Sequence, residues 1–60
     1  MDPNANLKEQ REILKVVTQM RLAGEVYDVD YVDLLERLSD LGEAMDEWLS
    51  KGGFKPTAWK

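Results

Sequence analysis

The sequence predicts an all-α fold, in which two helices form an antiparallel hairpin and a C-terminal aromatic tail folds back onto it. Three observations support this fold. Apolar residues recur with a period of about 3.5 in the second half, glycines follow both helical segments, and aromatic residues flank the second glycine stop. Only one short segment favours a β-strand, and no second strand is available to pair with it. We expect a single domain over residues 1–60, because a chain this short buries only about 60% of its unfolded surface.

Helix 1 is predicted over about residues 5–23. Its start is open within a few residues, because Pro3 suits a first helical turn while Asn6 also resembles the first residue of a capping box. Gly24 is a natural C-terminal stop. Leu22 falls nearly opposite the apolar face, so we expect the last turn to fray or to be covered. The apolar face and its flanks consist of Leu7, Ile13, Leu14, Val16, Val17 and Met20.

The connection between the helices contains valine and tyrosine, which favour strands. Without a strand partner, this segment is expected to be a loop that Val26 or Tyr27 pins against the helices. Asp28 or Asp30 is then expected to cap the second helix.

Helix 2 is predicted over about residues 30–51, and its apolar seam has spacings of four and three residues. Gly42 lies beside the seam. It either costs about 1 kcal/mol relative to alanine or permits a close helix approach. The seam is short for a coiled coil and suits a hairpin or a four-helix bundle. Its members are Leu34, Leu38, Leu41, Met45 and Trp48.

The tail, residues 52–60, begins with a Gly-Gly pair that ends helix 2. Phe54 is expected at or near the C″ position, where an apolar side chain often contacts the last helical turn. Pro56 prevents the helix from resuming, and its turn is expected to bring Trp59 back over the open end of the hairpin. The alternative is an aromatic peptide that docks onto a partner.

Self-association is expected because the chain has few other means of stabilising a small fold. Cysteine and histidine are absent, which excludes disulfides and the usual zinc sites. Apolar surface around Leu35, Leu38 and Leu49 is left over in the predicted hairpin. We expect this surface to pair in an antiparallel homodimer or to meet a host protein. A compact monomer closed by the tail is the alternative.

Charge is unevenly distributed along the chain, whose net charge is −4. Residues 1–24 carry a net charge of +1, and residues 25–60 carry −5. Two charged surfaces result, and the ordinary interpretation of both is a solvated helix face. A functional interpretation makes the acidic one a mimic of nucleic-acid phosphate and the basic one a small DNA-binding surface. The acidic ridge consists of Asp33, Glu36, Asp40, Glu43 and Glu47, and the basic patch of Lys8, Arg11 and Lys15.

The sequence offers little for catalysis or cofactor binding. The segment 28–39 lacks the glycine and the glutamate that an EF-hand loop requires, and no glycine-rich loop precedes a helix. Histidine is not available for acid–base chemistry. We therefore expect no enzyme activity, no cofactor, no metal and no small-molecule substrate. Since no apolar run approaches the roughly 18 residues of a membrane span and no leader opens the chain, we expect a soluble cytoplasmic protein.

The two ends of the chain show a further pattern. One part of the pattern is the opening segment, residues 1–7. The other lies within residues 46–59, where a tryptophan is followed in order by Gly-Gly-Phe, a proline and a second tryptophan. In these segments the chain resembles small uncharacterised proteins of actinobacteria and their bacteriophages. The resemblance covers about half of the chain. It implies a phage or prophage accessory protein in a bacterial cytoplasm, and it brings no activity, ligand or catalytic residue.

The function that we expect is that of a non-enzymatic protein-interaction module. The alternative is a nucleic-acid-related regulator, either a small DNA binder or an acidic phosphate mimic, although the net negative charge makes direct nucleic-acid binding the weaker form. The candidate interaction residues are Leu35, Leu38, Leu49, Phe54 and Trp59.

Overall fold

A computed structural model describes residues 1–59, so that Lys60, the last residue of the predicted tail, lies outside the described residues. Two helices pack antiparallel, α1 over Pro3–Leu22 and α2 over Val29–Ser50. No strand is present in residues 1–59. The predicted all-α hairpin is confirmed. It is a flat rod with Cα extents of 39 × 19 × 13 Å.

Helix α1 begins two residues before the predicted start because Asp2, and not a later asparagine, is its N-cap. The Asp2 carboxylate accepts hydrogen bonds from the backbone N–H groups of Asn4 and Ala5, at 2.9 and 3.3 Å. Pro3 occupies the first helical position, where its missing N–H costs nothing. Asn6 therefore lies inside the helix, and the capping-box interpretation of this residue is wrong.

The turn between the helices is closed by backbone hydrogen bonds. Gly24 has a φ of +75°, and the N–H of Glu25 donates to the carbonyl of Met20 at 2.9 Å. This is the Schellman stop that the glycine predicted. Asp28 caps α2 by accepting from the N–H of Asp30 at 2.8 Å. Because backbone bonds hold the turn, no side chain is needed to pin it. The prediction that Val26 or Tyr27 does so is wrong, since both are exposed.

The core lies along the facing sides of the two helices. Its buried members are Leu7, Ile13, Val17, Leu41 and Met45, with Tyr31, Leu34 and Leu38 partly buried beside them. Seam residues of α2 thus meet the apolar face of α1, as the spacing predicted. Trp48, the last residue of the seam, is half-buried.

The structure decides between the two roles predicted for Gly42 and shows how the Gly-Gly pair ends α2. A Cβ built on Gly42 would have no heavy atom within 4 Å, so this glycine does not permit a close helix approach within the hairpin. After the helix, Gly52 takes a φ of +87°, and the N–H of Gly53 donates to the carbonyl of Trp48 at 2.9 Å. Gly53 is therefore the C″ residue, and Phe54 follows it.

Candidate interaction surfaces

The start of the tail is fixed to the indole of Trp48. The indole N–H donates to the carbonyl of Phe54 at 2.9 Å, and the two rings meet edge to face with centroids 5.6 Å apart. A Cβ added at Gly53 would overlap the indole ring. This position therefore requires glycine because of close approach, and the chain leaves the helix along the ring.

The tail then crosses to the N-terminal turn of α1. The N–H of Thr57 donates to the side-chain oxygen of Asn4 at 2.7 Å. Pro56 and Pro3 are the largest fully buried residues among 1–59. Trp59 closes a turn by donating its N–H to the Pro56 carbonyl at 3.0 Å, yet its side chain is 38% exposed. Pro56 is thus the most buried residue of the tail, whereas the final tryptophan remains exposed.

The five candidate interaction residues differ in exposure. Leu35 is 39% exposed on the side of α2, and Phe54 is 64% exposed on the tail. Leu38 and Leu49 are half-buried, and Leu38 packs against the core. Leu14 of α1, 47% exposed, is a further apolar side chain that was predicted to flank the core.

The most exposed apolar side chains lie at the turn between the helices, which we call the turn tip (residues 22–29). Tyr27 is 96% exposed, Leu22 85% and Val29 69%. Leu22 is neither frayed nor covered, since α1 remains helical through it. Sequence reasoning missed this surface because it assumed that the loop would be pinned. The available signal was that residues 22–36 contain acidic residues and no lysine or arginine around these apolar side chains.

One edge of the hairpin carries an ion pair between the helices. Arg37 donates from Nε to one Glu9 carboxylate oxygen at 2.6 Å and from Nη2 to the other at 2.9 Å. These hydrogen bonds hold the pKa of the Glu9 carboxyl below its ordinary value of 4.5. The hydrogen bonds to Glu9 likewise raise the pKa of Arg37. Because both groups are solvent-exposed, the pair contributes little stability and serves mainly to align the helices.

The two charged surfaces lie on the outer sides of the hairpin. All five carboxylates of the acidic ridge are exposed on α2. On α1, the three cations of the basic patch share a shallow depression of about 410 Å³ with Ala58 of the tail. The depression also contains Glu12, so it is not uniformly basic.

Residues 1–59 show neither a metal-binding cluster nor a membrane-spanning helix. No group of three or more carboxylate, cysteine or histidine side chains is arranged to hold a metal ion in this part of the chain. Neither helix of the described segment is long and apolar enough to cross a membrane. Comparisons of the chain with protein-family models, curated proteins and solved structures found no match.

Proposed function

We propose that this chain is a non-enzymatic protein-interaction module, and that its turn tip inserts into an apolar pocket of another protein. The observation that supports the proposal is the exposure of Tyr27, Leu22 and Val29 together at one end of the hairpin. Tyrosine is enriched in protein interfaces because it combines a large apolar ring with a polar end.

The charge around the turn tip defines the chemistry of the proposed partner. Residues 22–36 include Glu25, Asp28, Asp30, Asp33 and Glu36 and no basic residue. A pocket with a basic rim would therefore be attracted to the tip, and an acidic one would be repelled. The partner that we propose is a protein whose apolar pocket is bordered by lysine or arginine.

The proposed setting is the cytoplasm of a bacterium, with the protein encoded by a phage or prophage. This part of the proposal is supported by the resemblance of the two ends of the chain to small actinobacterial and phage proteins. An accessory protein that acts by occupying a host protein would need a docking surface and no catalytic group, which agrees with the tip.

A capture experiment with matched variants tests the proposal. The bait is used as wild type, as the tip variant Leu22→Ser/Tyr27→Ser and as the tail variant Phe54→Ser, each against lysate from an actinobacterial host. Exposed substitutions such as those at the tip change stability by only about 0.5 kcal/mol each, and Phe54→Ser loses in addition about 0.5–1.5 kcal/mol from the ring contact with Trp48. Circular dichroism checks that all three baits remain folded.

The expected result is a host protein that is captured by the wild type and the tail variant and lost with the tip variant. Its capture should also weaken as salt rises, because the acidic rim contributes to attraction. A protein that is lost only with Phe54→Ser would refute docking by the tip and assign recognition to the tail.

The second candidate function is that of a nucleic-acid-related regulator, and one observation favours its DNA-binding form. Lys8, Arg11 and Lys15 line the same depression. Three phosphate contacts would give a slope of about −3 for the logarithm of affinity against that of salt. Gel-shift assays at low salt with the wild type and a triple alanine variant test this form, and no shift of the wild type would dismiss it.

The mimic form requires a basic protein partner for the acidic ridge. Neutralising Asp33, Asp40 and Glu47 to their amides should abolish that binding, whereas the tip variant should leave it unchanged. This contrast separates mimicry from docking by the tip.

A further inference from the structure

One broad face of the hairpin can be identified from the ion pair on the opposite edge. Successive residues of an α-helix are about 100° apart, so Leu14 lies about 140° around α1 from Glu9, and Leu35 about 160° around α2 from Arg37. Glu9 and Arg37 bond to each other on one edge. Leu14 and Leu35 must therefore lie on the same side of the antiparallel pair, and this side is opposite the ion pair. We call it the broad face.

Apolar surface on the broad face is covered by the tail at one end only. Leu7 and Leu14 lie on the same stripe of α1, seven residues apart. Leu7, which shares a surface depression with Ala58 of the tail, is 8% exposed, whereas Leu14 is 47% exposed. On α2, Leu35 is also open, and the half-buried Tyr31 and Leu38 lie beside it. The uncovered part thus extends from Leu14 towards the turn tip.

The outer margins of the broad face carry opposite charges. Beyond Leu14, the surface of α1 continues into the basic patch, which includes Arg11 and Lys15. Beyond Leu35, the surface of α2 continues into carboxylates that include Glu43 and Asp46. Each copy of the chain therefore presents an apolar centre with a basic margin on α1 and an acidic margin on α2.

We infer that the occupant of the broad face is a second copy of this chain, related by a twofold axis that runs along the helices. Two such axes are compatible with face-to-face packing. An axis along the helices places α1 of one copy on α2 of the other, so that basic margins meet acidic ones. An axis across the helices places α1 on α1 and α2 on α2, so that like charges meet. Charge complementarity therefore selects the first arrangement, a four-helix bundle.

The size of the face agrees with this assignment. Its Cα extents of 39 × 19 Å correspond to roughly 740 Å² in projection. A standard protein–protein interface buries about 800 Å² on each partner. Nearly the whole flat side of the hairpin would be used, and an affinity in about the micromolar range is expected for such an interface when its apolar centre is small.

The symmetry also fixes which residues meet. Asn6 bonds to Leu41 and Glu9 to Arg37. A residue of α1 and the residue of α2 beside it at the same height therefore have numbers whose sum is 46 or 47. Rotation about an axis along the helices leaves height unchanged. Arg11 of one copy therefore lies at the height of residues 35–36 of the second copy, and Leu14 lies at the height of residues 32–33 and next to Leu35.

A consequence of this arrangement rests on the proposed docking function. Both turn tips lie at the same end of the bundle, so the dimer presents two copies of Tyr27 side by side. A partner with two pockets would bind such a pair more tightly than one tip, because the second contact is intramolecular. The arrangement with the axis across the helices would place the tips at opposite ends.

Charge-swap variants test which surfaces meet. Arg11→Glu and Glu43→Arg should each weaken self-association several-fold in sedimentation equilibrium, since each places a like charge at the two symmetric contacts between basic and acidic margins. An equimolar mixture of the two variants should associate about as tightly as the wild type, because the heterodimer restores opposite charges at both contacts. Failure of the mixture to recover would overturn the α1-on-α2 arrangement. Leu14→Ser should weaken association in every mixture.

A distance measurement tests the direction of the axis. The chain contains no cysteine, so Glu25→Cys provides a single position at the turn tip for a spin label. Neighbouring and diagonal helices of a bundle are about 10 and 14 Å apart, so the labels should be about 10–25 Å apart in the dimer. In a labelled protein that also carries Leu14→Ser, this short distance between the two labels should no longer be observed. A separation near the 39 Å length of the hairpin would overturn the proposal, as would a folded wild type that remains monomeric at millimolar concentration. Capture of a partner by the tip does not depend on these outcomes, so the two proposals can fail separately.

Discussion

Asn6 offers the sharpest test of how the hairpin is held in register. It is the only buried polar side chain among residues 1–59, and it is 7% exposed. Its side-chain amide donates to the Leu41 carbonyl of the facing helix at 3.0 Å, and its oxygen accepts from Gln10 at 2.6 Å. No other buried side chain in residues 1–59 hydrogen-bonds to the facing helix. The amide therefore fixes the height at which α1 meets α2.

Replacing Asn6 with alanine should lower the free energy of unfolding by about 1–2 kcal/mol, the value of a buried hydrogen bond with its packing. The better helix propensity of alanine offsets part of this loss, by about 0.5 kcal/mol. A domain of this length has a total stability of about 3–9 kcal/mol. The variant should consequently still fold, with a clearly lower urea midpoint.

Replacing Asn6 with aspartate is a stronger perturbation at neutral pH. The new carboxylate would have the shape of the amide and no donor, and it would face the carbonyl oxygen of Leu41. Burial and the facing oxygen both raise the folded-state pKa of this carboxyl above its unfolded value of about 3.9. Stability is then present below pH 4 and is lost as the pH rises through the raised folded pKa. We expect a deficit of about 3 kcal/mol at pH 7, smaller by about 1–2 kcal/mol at pH 4.

Urea unfolding followed by circular dichroism at pH 4 and pH 7 measures both effects, with the wild type measured at each pH. Asn4→Asp is the matched control. Its side chain is exposed and accepts from the N–H of Thr57 at 2.7 Å, a bond that a carboxylate can also accept. A carboxylate in the first turn of α1 also stabilises the helix, because its negative charge interacts favourably with the positive end of the helix dipole. Equal losses at Asn4 and Asn6, or an Asn6→Asp variant as stable as the wild type at pH 7, would refute the reasoning.

Three further predictions follow from the same structure. Gly53→Ala should lower the free energy of unfolding by about 1–3 kcal/mol and shift the tryptophan emission, because the methyl group would displace the Trp48 indole. Gly42→Ala should instead raise the free energy of unfolding by about 1 kcal/mol, since nothing lies within 4 Å of the new Cβ. This value applies at a concentration at which the chain is monomeric, and a loss of stability would show that the site is crowded. An NMR titration of Glu9 should give a pKa below 4.5 in the wild type, and Arg37→Gln should raise it. Because a depressed carboxyl pKa stabilises the fold above the unfolded pKa, the contribution of this pair should disappear as the pH falls through the folded value.

The helices could be predicted from the sequence because their signals are local and consistent with one another. The spacing of Leu34, Leu38 and Leu41 fixed the buried side of α2, and the glycines after each helix fixed its end. The observed bounds of α1 and α2 differ from the predicted ones by one or two residues. Helix α1 starts early because an aspartate cap followed by proline is a stronger start than asparagine alone.

The placement of the loop and tail side chains could not be predicted from local signals. Whether Tyr27 is pinned depends on whether the backbone can close the turn unaided, which is a property of the three-dimensional hairpin. In the tail, tryptophan offers more apolar area than proline, and area favours burying Trp59. Pro56 is instead the fully buried residue, and it directly precedes Thr57, whose bond to Asn4 sets where the chain crosses the first turn of α1.

These contacts divide the molecule into a closed end and an open end. At the closed end, Trp48, Asn4 and Asn6 use side-chain hydrogen bonds to join the tail and both helices. The turn tip is held by backbone bonds and helix stops, and its apolar side chains contribute little to the core. Substitutions at Leu22 or Tyr27 should therefore change stability little, whereas those that remove a side-chain hydrogen bond at the closed end should lower it. A hairpin built in this way can vary its exposed tip without losing its fold, which is the property that a recognition surface requires.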